Sequence, residues 1–363
     1  MARTVIKLGS AIVATDEGEL RAELLARICA AVAAARAGGD EVAIVTSGAI
    51  ARGTRVLGLT ARPTAIEELQ AASAVGQGRL YRVYDELLAE HGAVAAQVLL
   101  TFSDVSARTS YLNARQTLGK LLDWGTVPVI NENDTTATDE ISFGDNDFLA
   151  AQVAILIAAD RLIILTNTDG LYSADPRTHP TATLVEHVED FAALDALQIT
   201  QTTSAHGSGG MRSKVVAADM ATAAGIETVI CNGAREGVLA RVLAGGREGT
   251  LFAAREQRYS SFKLWLRYAK PSRGTIVVDA GAARALREGG TSLLPVGVVE
   301  VRGAFEEGDA VDVVDAERLI GKGICNYSAV DLRRAAGRHS AAVREVLPRA
   351  TEEAVHRDYF VLA

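Results

Sequence analysis

Short apolar runs alternate with longer stretches of helical periodicity from Met1 to about Arg255. No other feature of the chain constrains its fold as strongly. Strands joined through helices become parallel neighbours in a sheet covered on both faces, with right-handed crossovers. Thr4–Leu8, Glu41–Thr46, Val94–Leu100, Thr126–Ile130, Arg161–Thr166 and Glu227–Cys231 read as strands. Leu20–Ala37, Thr64–Leu88, Ser110–Trp124, Asp145–Ala159, Arg212–Ala224 and Val238–Ala244 read as helices. Leu20, Leu24, Ile28 and Val32 recur at helical spacing, and Gly38-Gly39 stop that helix. Gly76 and Gly78 are expected to interrupt the helix that holds them. Arg161–Thr166 is apolar through its middle and is expected at the centre of the sheet.

The texture changes after Ala254. Residues 256–272 are polar and linker-like, with a boundary near Phe262, and Lys263–Tyr268 reads as a strand or a bridge. From 273 to 363 the segments are short and separated by glycines and acidic turns. Thr275–Val278, Val298–Arg302 and Ala310–Val314 read as strands, Ala282–Glu288 as a brief helix and Tyr327–Leu347 as a helical end. Two domains suit a chain of 363 residues. A net charge of −8 weighs against a general nucleic-acid binder, although Arg333, Arg334 and Arg338 form a local basic cluster. Cys29, Cys231 and Cys325 are too widely spaced for a metal motif or a disulfide framework, which suits a reducing cytosol. The first strand begins too early to leave room for a signal peptide, and Leu149–Ala159 is too short to span a bilayer.

Polar chemistry is densest in Val127–Leu149, VPVINENDTTATDEISFGDNDFL. An apolar run gives way to Glu132, Asp134, Asp139, Glu140, Asp145 and Asp147 among asparagines and threonines. Buried carboxylates and amides are costly without partners. The stretch is therefore either a long solvated loop or the floor of a polar site. The flanking strand and helix favour the site, because open α/β sheets bind ligands beyond the carboxyl ends of their strands. Lys7 ends the first strand beside Gly9, as a candidate for nucleotide phosphates or as a merely solvated lysine. Ser47-Gly48-Ala49 is small enough for a ligand to approach backbone N–H groups, or is an ordinary loop. Ser208-Gly209-Gly210-Met211 leads into a helix carrying Arg212 and Lys214, and glycines before a helix can cradle phosphate. No Walker sequence or full dinucleotide fingerprint is present. Phosphoryl transfer needs positive charge around the migrating group, which Lys7 and Lys214 can supply and Asp147 can hold in place.

Taken in order, Lys7-Leu8-Gly9, Thr46-Ser47-Gly48-Ala49-Ile50, Val129-Ile130-Asn131-Glu132-Asn133-Asp134, Gly144-Asp145-Asn146-Asp147 and Gly209-Gly210-Met211-x-x-Lys214 resemble the amino-acid kinase family. Tyr111-Leu112-Asn113-Ala114-Arg115 and Leu171-Tyr172-Ser173-Ala174-Asp175-Pro176-Arg177 belong to the same likeness. Thr275-Ile276-Val277-Val278-Asp279, Gly290-x-Ser292-Leu293-Leu294-Pro295 and the Gly303–Gly308 turn resemble the PUA domain that many bacterial members carry. The resemblance implies a three-layer αβα sandwich with a mostly parallel central sheet over 1–255. It implies a small mainly-β PUA-like domain with a C-terminal extension over 273–363. The implied reaction is ATP-dependent phosphorylation of the γ-carboxylate of L-glutamate to L-glutamyl 5-phosphate, the first step of proline biosynthesis. The implied accessories are Mg2+, proline as feedback inhibitor, a homo-oligomer (dimer or tetramer), a cytoplasmic location and transient contact with glutamate-5-semialdehyde dehydrogenase.

On the matching positions, the resemblance implies that Lys7 and Lys214 bind ATP phosphates and stabilise the transferring group, with Asp147 orienting both. Ser47, Asp134 and Asn146 would hold glutamate, with Asn131 and Asp145 near them. Thr166, Asn167, Ser208, Gly209, Gly210, Met211 and Lys214 would line the nucleotide site. No protein side chain is assigned as a direct metal ligand. The Thr135–Phe143 stretch is expected to close over glutamate. Two residues depart from the family pattern. Asn167 stands where an aspartate is common, which implies a changed nucleotide affinity or preference, and Ser10 replaces a threonine while keeping the hydroxyl. An RNA-binding role is the rival from another class. Negative net charge and the acidic residues from Glu300 to Glu317 weigh against it. Another carboxylate or carbamate kinase of the same fold is the nearer rival, but carbamate has no α-amino group for the glutamate-site residues to bind.

Overall fold

A computed structural model of the chain describes residues 1–15, 17–101, 104, 108–137, 146–189, 191, 194, 210–256, 263, 266–267, 270, 272–316, 318–347 and 351–363. The chain divides into two compact units, 1–258 and 259–363.

The first unit is built on an eight-stranded sheet in the order β3-β4-β2-β1-β5-β7-β8-β6. Its strands are β1 (Arg3–Leu8), β2 (Glu41–Val45), β3 (Ala95–Leu100), β4 (Val127–Glu132), β5 (Arg161–Thr166), β6 (His187–Val188), β7 (Glu227–Asn232) and β8 (Thr250–Phe252). β1 to β5 and β7 run parallel, and β8 returns antiparallel beside β7. β5 lies at the centre, next to β1, as its apolar run predicts. β6 and β8 escape sequence reading because two or three residues carry no period.

The helices of this unit are α1 (Ser10–Val13), α2 (Ala22–Ala37), α3 (Ala49–Val56), α4 (Ile66–Ala89), α5 (Arg108–Asp123), α6 (Asn146–Leu156), α7 (Met211–Ala223) and α8 (Val238–Leu243). Alternate strand residues split the core. Ile6, Leu8, Val42, Ile44, Val129, Ile163 and Leu165 pack with Leu25, Ile28 and Val32 of α2 and Leu80, Tyr84 and Leu88 of α4. Val5 and Lys7 alternate with these residues and so face the opposite side of the sheet.

One expectation for this region fails: α4 runs through Gly76 and Gly78 without a break, packed on a helix over 49–56 to which the sequence assigns no element. A Cβ on Gly53 would stand 1.7 Å from the carbonyl oxygen of Ala72, and one on Gly76 would stand 1.9 Å from that of Ala49. The glycines let α3 and α4 touch backbone to backbone, and that packing outweighs glycine's helix penalty of about 1 kcal/mol. Gly48, at φ 99°, is in the left-handed region that turns the chain into α3.

The second unit carries a five-stranded sheet in the order β10-β9-β11-β12-β13. These strands are β9 (Ser272–Val278), β10 (Val298–Gly303), β11 (Ala310–Asp315), β12 (Arg318–Cys325) and β13 (Val355–Leu362). Beside them lie α9 (Ala280–Gly289), α10 (Ala329–Ala335) and α11 (Ser340–Val346). The expected helical end is thus two short helices followed by a strand. β12 is hidden in the sequence by Gly321 and Gly323, where added side chains would collide with Val361 O and Val355 Cγ1 of β13. Of Lys263–Tyr268 only 263, 266 and 267 are described, and none lies in a strand; Leu266 is buried with Ala310 and Val361.

All three cysteines are free and buried. Burial pushes the thiols of Cys29 and Cys231 up to about 12 and that of Cys325 up to about 11. Thiolate is the reactive form. Iodoacetamide at pH 8 is therefore expected to leave the folded protein unmodified and fully active, with three adducts appearing by mass spectrometry only in denaturant. Rapid modification of the native protein would contradict this packing. Among the described residues, no helix is long and apolar enough to cross a membrane.

Candidate active site

The carboxyl ends of β1, β2, β4 and β5 meet the N-terminal ends of α6 and α7. This is the edge at which open parallel sheets bind ligands, because helix amides and strand-end side chains converge there. Asp147, in the first turn of α6, is fully buried. Its Oδ1 lies 2.5 Å from Lys7 Nζ at the end of β1, and its Oδ2 lies 2.9 Å from Lys214 Nζ on α7. Ser213 Oγ lies 2.7 Å from the same Oδ2 and 2.9 Å from Gly210 O, and its single hydrogen serves one of them at a time. Lys7 is 4% and Lys214 6% exposed, so three charges are held out of water together. Burial alone would raise the Asp147 carboxyl. The charges of Lys7 and Lys214, and their hydrogen bonds, outweigh it and hold the group well below the usual carboxylate range. One carboxylate thus holds two ammonium groups at the sheet edge.

Next to this cluster lies a chain of amides. Asn146 Nδ2 donates to Ser47 Oγ at 3.2 Å and to Asn131 Oδ1 at 3.0 Å. Asn131 Nδ2 donates in turn to Gln77 Oε1 of α4 at 2.6 Å. Asn146 Oδ1 is buried without a partner among the described residues. Asp134 has a different partner: Ser73 Oγ, also on α4, donates to its Oδ2 at 2.5 Å. Burial raises the Asp134 carboxyl, and the Ser73 hydrogen bond and the Arg62 charge only partly offset this.

The remaining expected residues lie towards β5 and α7. Thr166 is buried at the end of β5, and its hydroxyl lies 3.5 Å from Asn167 Oδ1; Asn167 itself is exposed. Gly210 precedes α7 with no side-chain cap, and Met211 is its first residue, so the first amides of that helix have no intrahelical acceptors. Asp145, Ser208 and Gly209 fall outside the described residues, as does 138–143 of the expected covering stretch.

Several residues around the site escape a reading of the sequence. Ser73 and Gln77, four apart on α4, interrupt its buried stripe of Leu69, Ala72, Gly76 and Leu80. That interruption is the signal that could have found them, since a polar pair on an inward face needs partners. Ser213 lies one residue from Lys214 and went unread because serine is common near helix starts. Asp169 is clamped by Asn232 Nδ2 at 2.9 Å and Arg235 Nη2 at 2.5 Å, joining the loops after β5 and β7. Among the described residues no group of three or more His, Cys, Asp or Glu side chains could hold a metal ion.

Residues 2–232 match the amino acid kinase family, and residues 274–347 match the PUA domain. The chain is 48% identical over 363 residues to the glutamate 5-kinase of Meiothermus ruber, covering 99% of this chain and 96% of that one. It is 47% identical over 363 residues to the glutamate 5-kinase of Pseudomonas putida, with 99% and 97% covered. It is 48% identical over 362 residues to the glutamate 5-kinase of Ralstonia nicotianae, again with 99% and 97% covered.

Proposed function

The chain belongs to the amino acid kinase family, and on that premise we propose that it transfers the γ-phosphoryl group of ATP to the γ-carboxylate of L-glutamate. The product is L-glutamyl 5-phosphate, and the step opens proline biosynthesis. The observation that carries the reading is the buried Lys7–Asp147–Lys214 cluster, set between an amide-lined pocket floor and the uncapped start of α7.

The chemistry asks little of a base. The γ-carboxylate is already ionised at neutral pH, so one of its oxygens attacks the γ-phosphorus directly. The bond from that phosphorus to the β,γ-bridging oxygen breaks, and ADP leaves with the electron pair. No proton has to move. The protein's work is alignment and neutralisation of charge on the transferring phosphoryl group. Lys7 and Lys214 supply that charge from fixed positions, because Asp147 holds both ammonium groups before substrate arrives. The amides at the start of α7, with Gly210 and Met211 and the adjoining Ser208 and Gly209, receive the phosphates. Thr166 and Asn167 flank the nucleotide. Ser47, Asn146, Asn131 and Asp134, with Asp145 next in the sequence, receive glutamate.

Magnesium enters as MgATP, carried on substrate phosphates. That suits an ion that keeps several waters and needs few protein carboxylates, and it suits the carboxylates on hand, since Asp147 already faces two lysines. Proline inhibition, a homo-oligomer, a cytoplasmic location and transient contact with glutamate-5-semialdehyde dehydrogenase complete the reading. RNA binding by the second unit is not part of it, given Glu300, Glu306, Glu307, Asp309, Asp312 and Asp315 along its strands and turns.

The test is turnover of MgATP by the purified protein with hydroxylamine present to trap acyl phosphate. L-glutamate, L-aspartate, N-acetyl-L-glutamate and carbamate are the competing acceptors. γ-Glutamyl hydroxamate is expected with L-glutamate alone, and Lys214→Ala is expected to lower kcat by about a hundredfold or more. Turnover with a different acceptor would move the substrate assignment while leaving the family intact. Full activity in Lys214→Ala would remove the charge cluster from the mechanism.

A further inference from the structure

A side-chain amide presents a donor at one end and an acceptor at the other, so a chain of amides has a direction. In the row Gln77–Asn131–Asn146–Ser47 the α4 end presents an oxygen. Gln77 Oε1 accepts from Asn131 Nδ2 at 2.6 Å, which turns Asn131 Oδ1 towards Asn146. Asn131 Oδ1 accepts from Asn146 Nδ2 at 3.0 Å, and the second hydrogen of that nitrogen goes to Ser47 Oγ at 3.2 Å. Both Asn146 hydrogens are then used. Its Oδ1 is left buried with no partner among the described residues, although the residue is only 5% exposed. A buried acceptor without a donor is costly in a folded protein and uncommon in native structures. It is relieved when a bound ligand brings a donor.

We propose that Gln77 is a positioning and specificity-determining residue: through Asn131 it orients the Asn146 amide so that its carbonyl oxygen receives the α-ammonium group of the amino-acid substrate. This rests on the glutamate-kinase reading given above. Gln77 touches no reacting atom. Its place over β4 comes from Gly76, whose missing side chain brings α4 onto α3. A donor in place of the Gln77 oxygen reverses the whole row. Asn131 then turns its oxygen towards position 77 and its NH2 towards Asn146. Asn146 answers with its own oxygen and presents NH2 to the ligand, where it meets an ammonium group as donor against donor.

The experiment compares the wild type, Gln77→Glu, Gln77→Leu and Gln77→Lys on two acceptors, L-glutamate and glutarate, which is the same dicarboxylate without the α-amino group. Gln77→Glu keeps an acceptor at position 77 and is expected to hold KM for L-glutamate within about threefold. Gln77→Lys is expected to raise that KM by about ten- to a hundredfold, the range for a mispaired hydrogen bond to a charged group. KM for MgATP and kcat should move by less than about threefold. The preference for L-glutamate over glutarate, as a ratio of kcat/KM, should collapse in Gln77→Lys and persist in Gln77→Glu. Gln77→Leu, which removes the acceptor without adding a donor, should fall between them.

Equal losses in Gln77→Glu and Gln77→Lys, or losses shared equally by both acceptors, would reduce Gln77 to a packing residue and overturn the proposal. Unchanged kinetics in all three variants would overturn it as well. Wild-type protein that makes no acyl phosphate from L-glutamate would instead overturn the glutamate-kinase reading, a result visible before any variant is compared.

Discussion

Asp147→Asn is expected to lower kcat about a hundred- to a thousandfold and to destabilise the first unit by about 3–5 kcal/mol. The substitution preserves shape and removes the carboxylate that Lys7 and Lys214 share. Two ammonium groups would then face one another, each almost wholly shielded from water. Removing one partner from a buried ionic group costs far more than deleting an exposed pair, because the remaining charges stay desolvated. The lysines leave their positions, and the phosphoryl group loses its prearranged positive surroundings. KM for L-glutamate should change much less than kcat, since the amide row that receives it is untouched.

The acid limb of stability provides a second readout. The Asp147 carboxyl is depressed in the folded protein, so its contribution is complete above the ordinary carboxylate value near 4. It is lost as pH falls below that value towards the folded one. The gap in urea stability between wild type and Asp147→Asn should therefore be widest at neutral pH and narrow below pH about 4. An Asp147→Asn protein with near-normal kcat, or a stability gap that does not depend on pH, would contradict this account of the cluster.

The second large effect concerns two glycines on one helix. Gly76→Ala is expected to destabilise the first unit by about 3 kcal/mol or more, since overpacking commonly costs about 1–3 kcal/mol and here the clash is with backbone. The new methyl group would meet Ala49 O at 1.9 Å and the Gly53 nitrogen at 2.6 Å, neither of which can swing aside. Gly78→Ala, two residues on, meets nothing within 4 Å and gains helix propensity. It should be neutral or stabilising by up to about 1 kcal/mol. In thermal melts the two variants should move Tm in opposite directions, Gly76→Ala downwards by about 6–12 °C. Gly76→Ala should also raise KM for L-glutamate more than KM for MgATP, because Ser73 and Gln77 flank Gly76 and reach Asp134 and Asn131. Similar melts for both variants would show that α3 and α4 do not depend on this close approach.

The main strands of the first unit were legible because each is a run of apolar residues long enough to show its character. Arg161–Thr166 is the clearest case, since both its predicted bounds and its central place agree with the structure. β12 was illegible because its glycines serve the close approach of β13, and β13 is distant in sequence. α3 went unassigned for a related reason. Ala49–Val56 contains Gly53 and too few turns to show a helical period, and its helicity depends on α4 packing against it. For the site, Lys7, Ser47, Asp147 and Lys214 stood out by their position at strand ends and helix starts, and Asn131 came with the family resemblance. Ser73, Gln77 and Arg62 did not, because each matters only through a residue far from it along the chain.

What the sequence determined by itself is the alternation of strand and helix, the place where polar residues gather and the kinship carried by motifs in a fixed order. Those properties are local, or are sums of local ones, and survive without coordinates. Only the tertiary structure decided which charges oppose which and which way the buried amides point. Lys7, Asp147 and Lys214 are separated by more than sixty residues at each step, so their mutual neutralisation exists only once β1, α6 and α7 are packed. The Asn146 amide likewise belongs to a row that runs through Asn131 to Gln77 on α4, a helix that packs on α3 through two glycines. Burial gives these pairings their strength, since a charge or an amide withdrawn from water depends on the few groups that surround it.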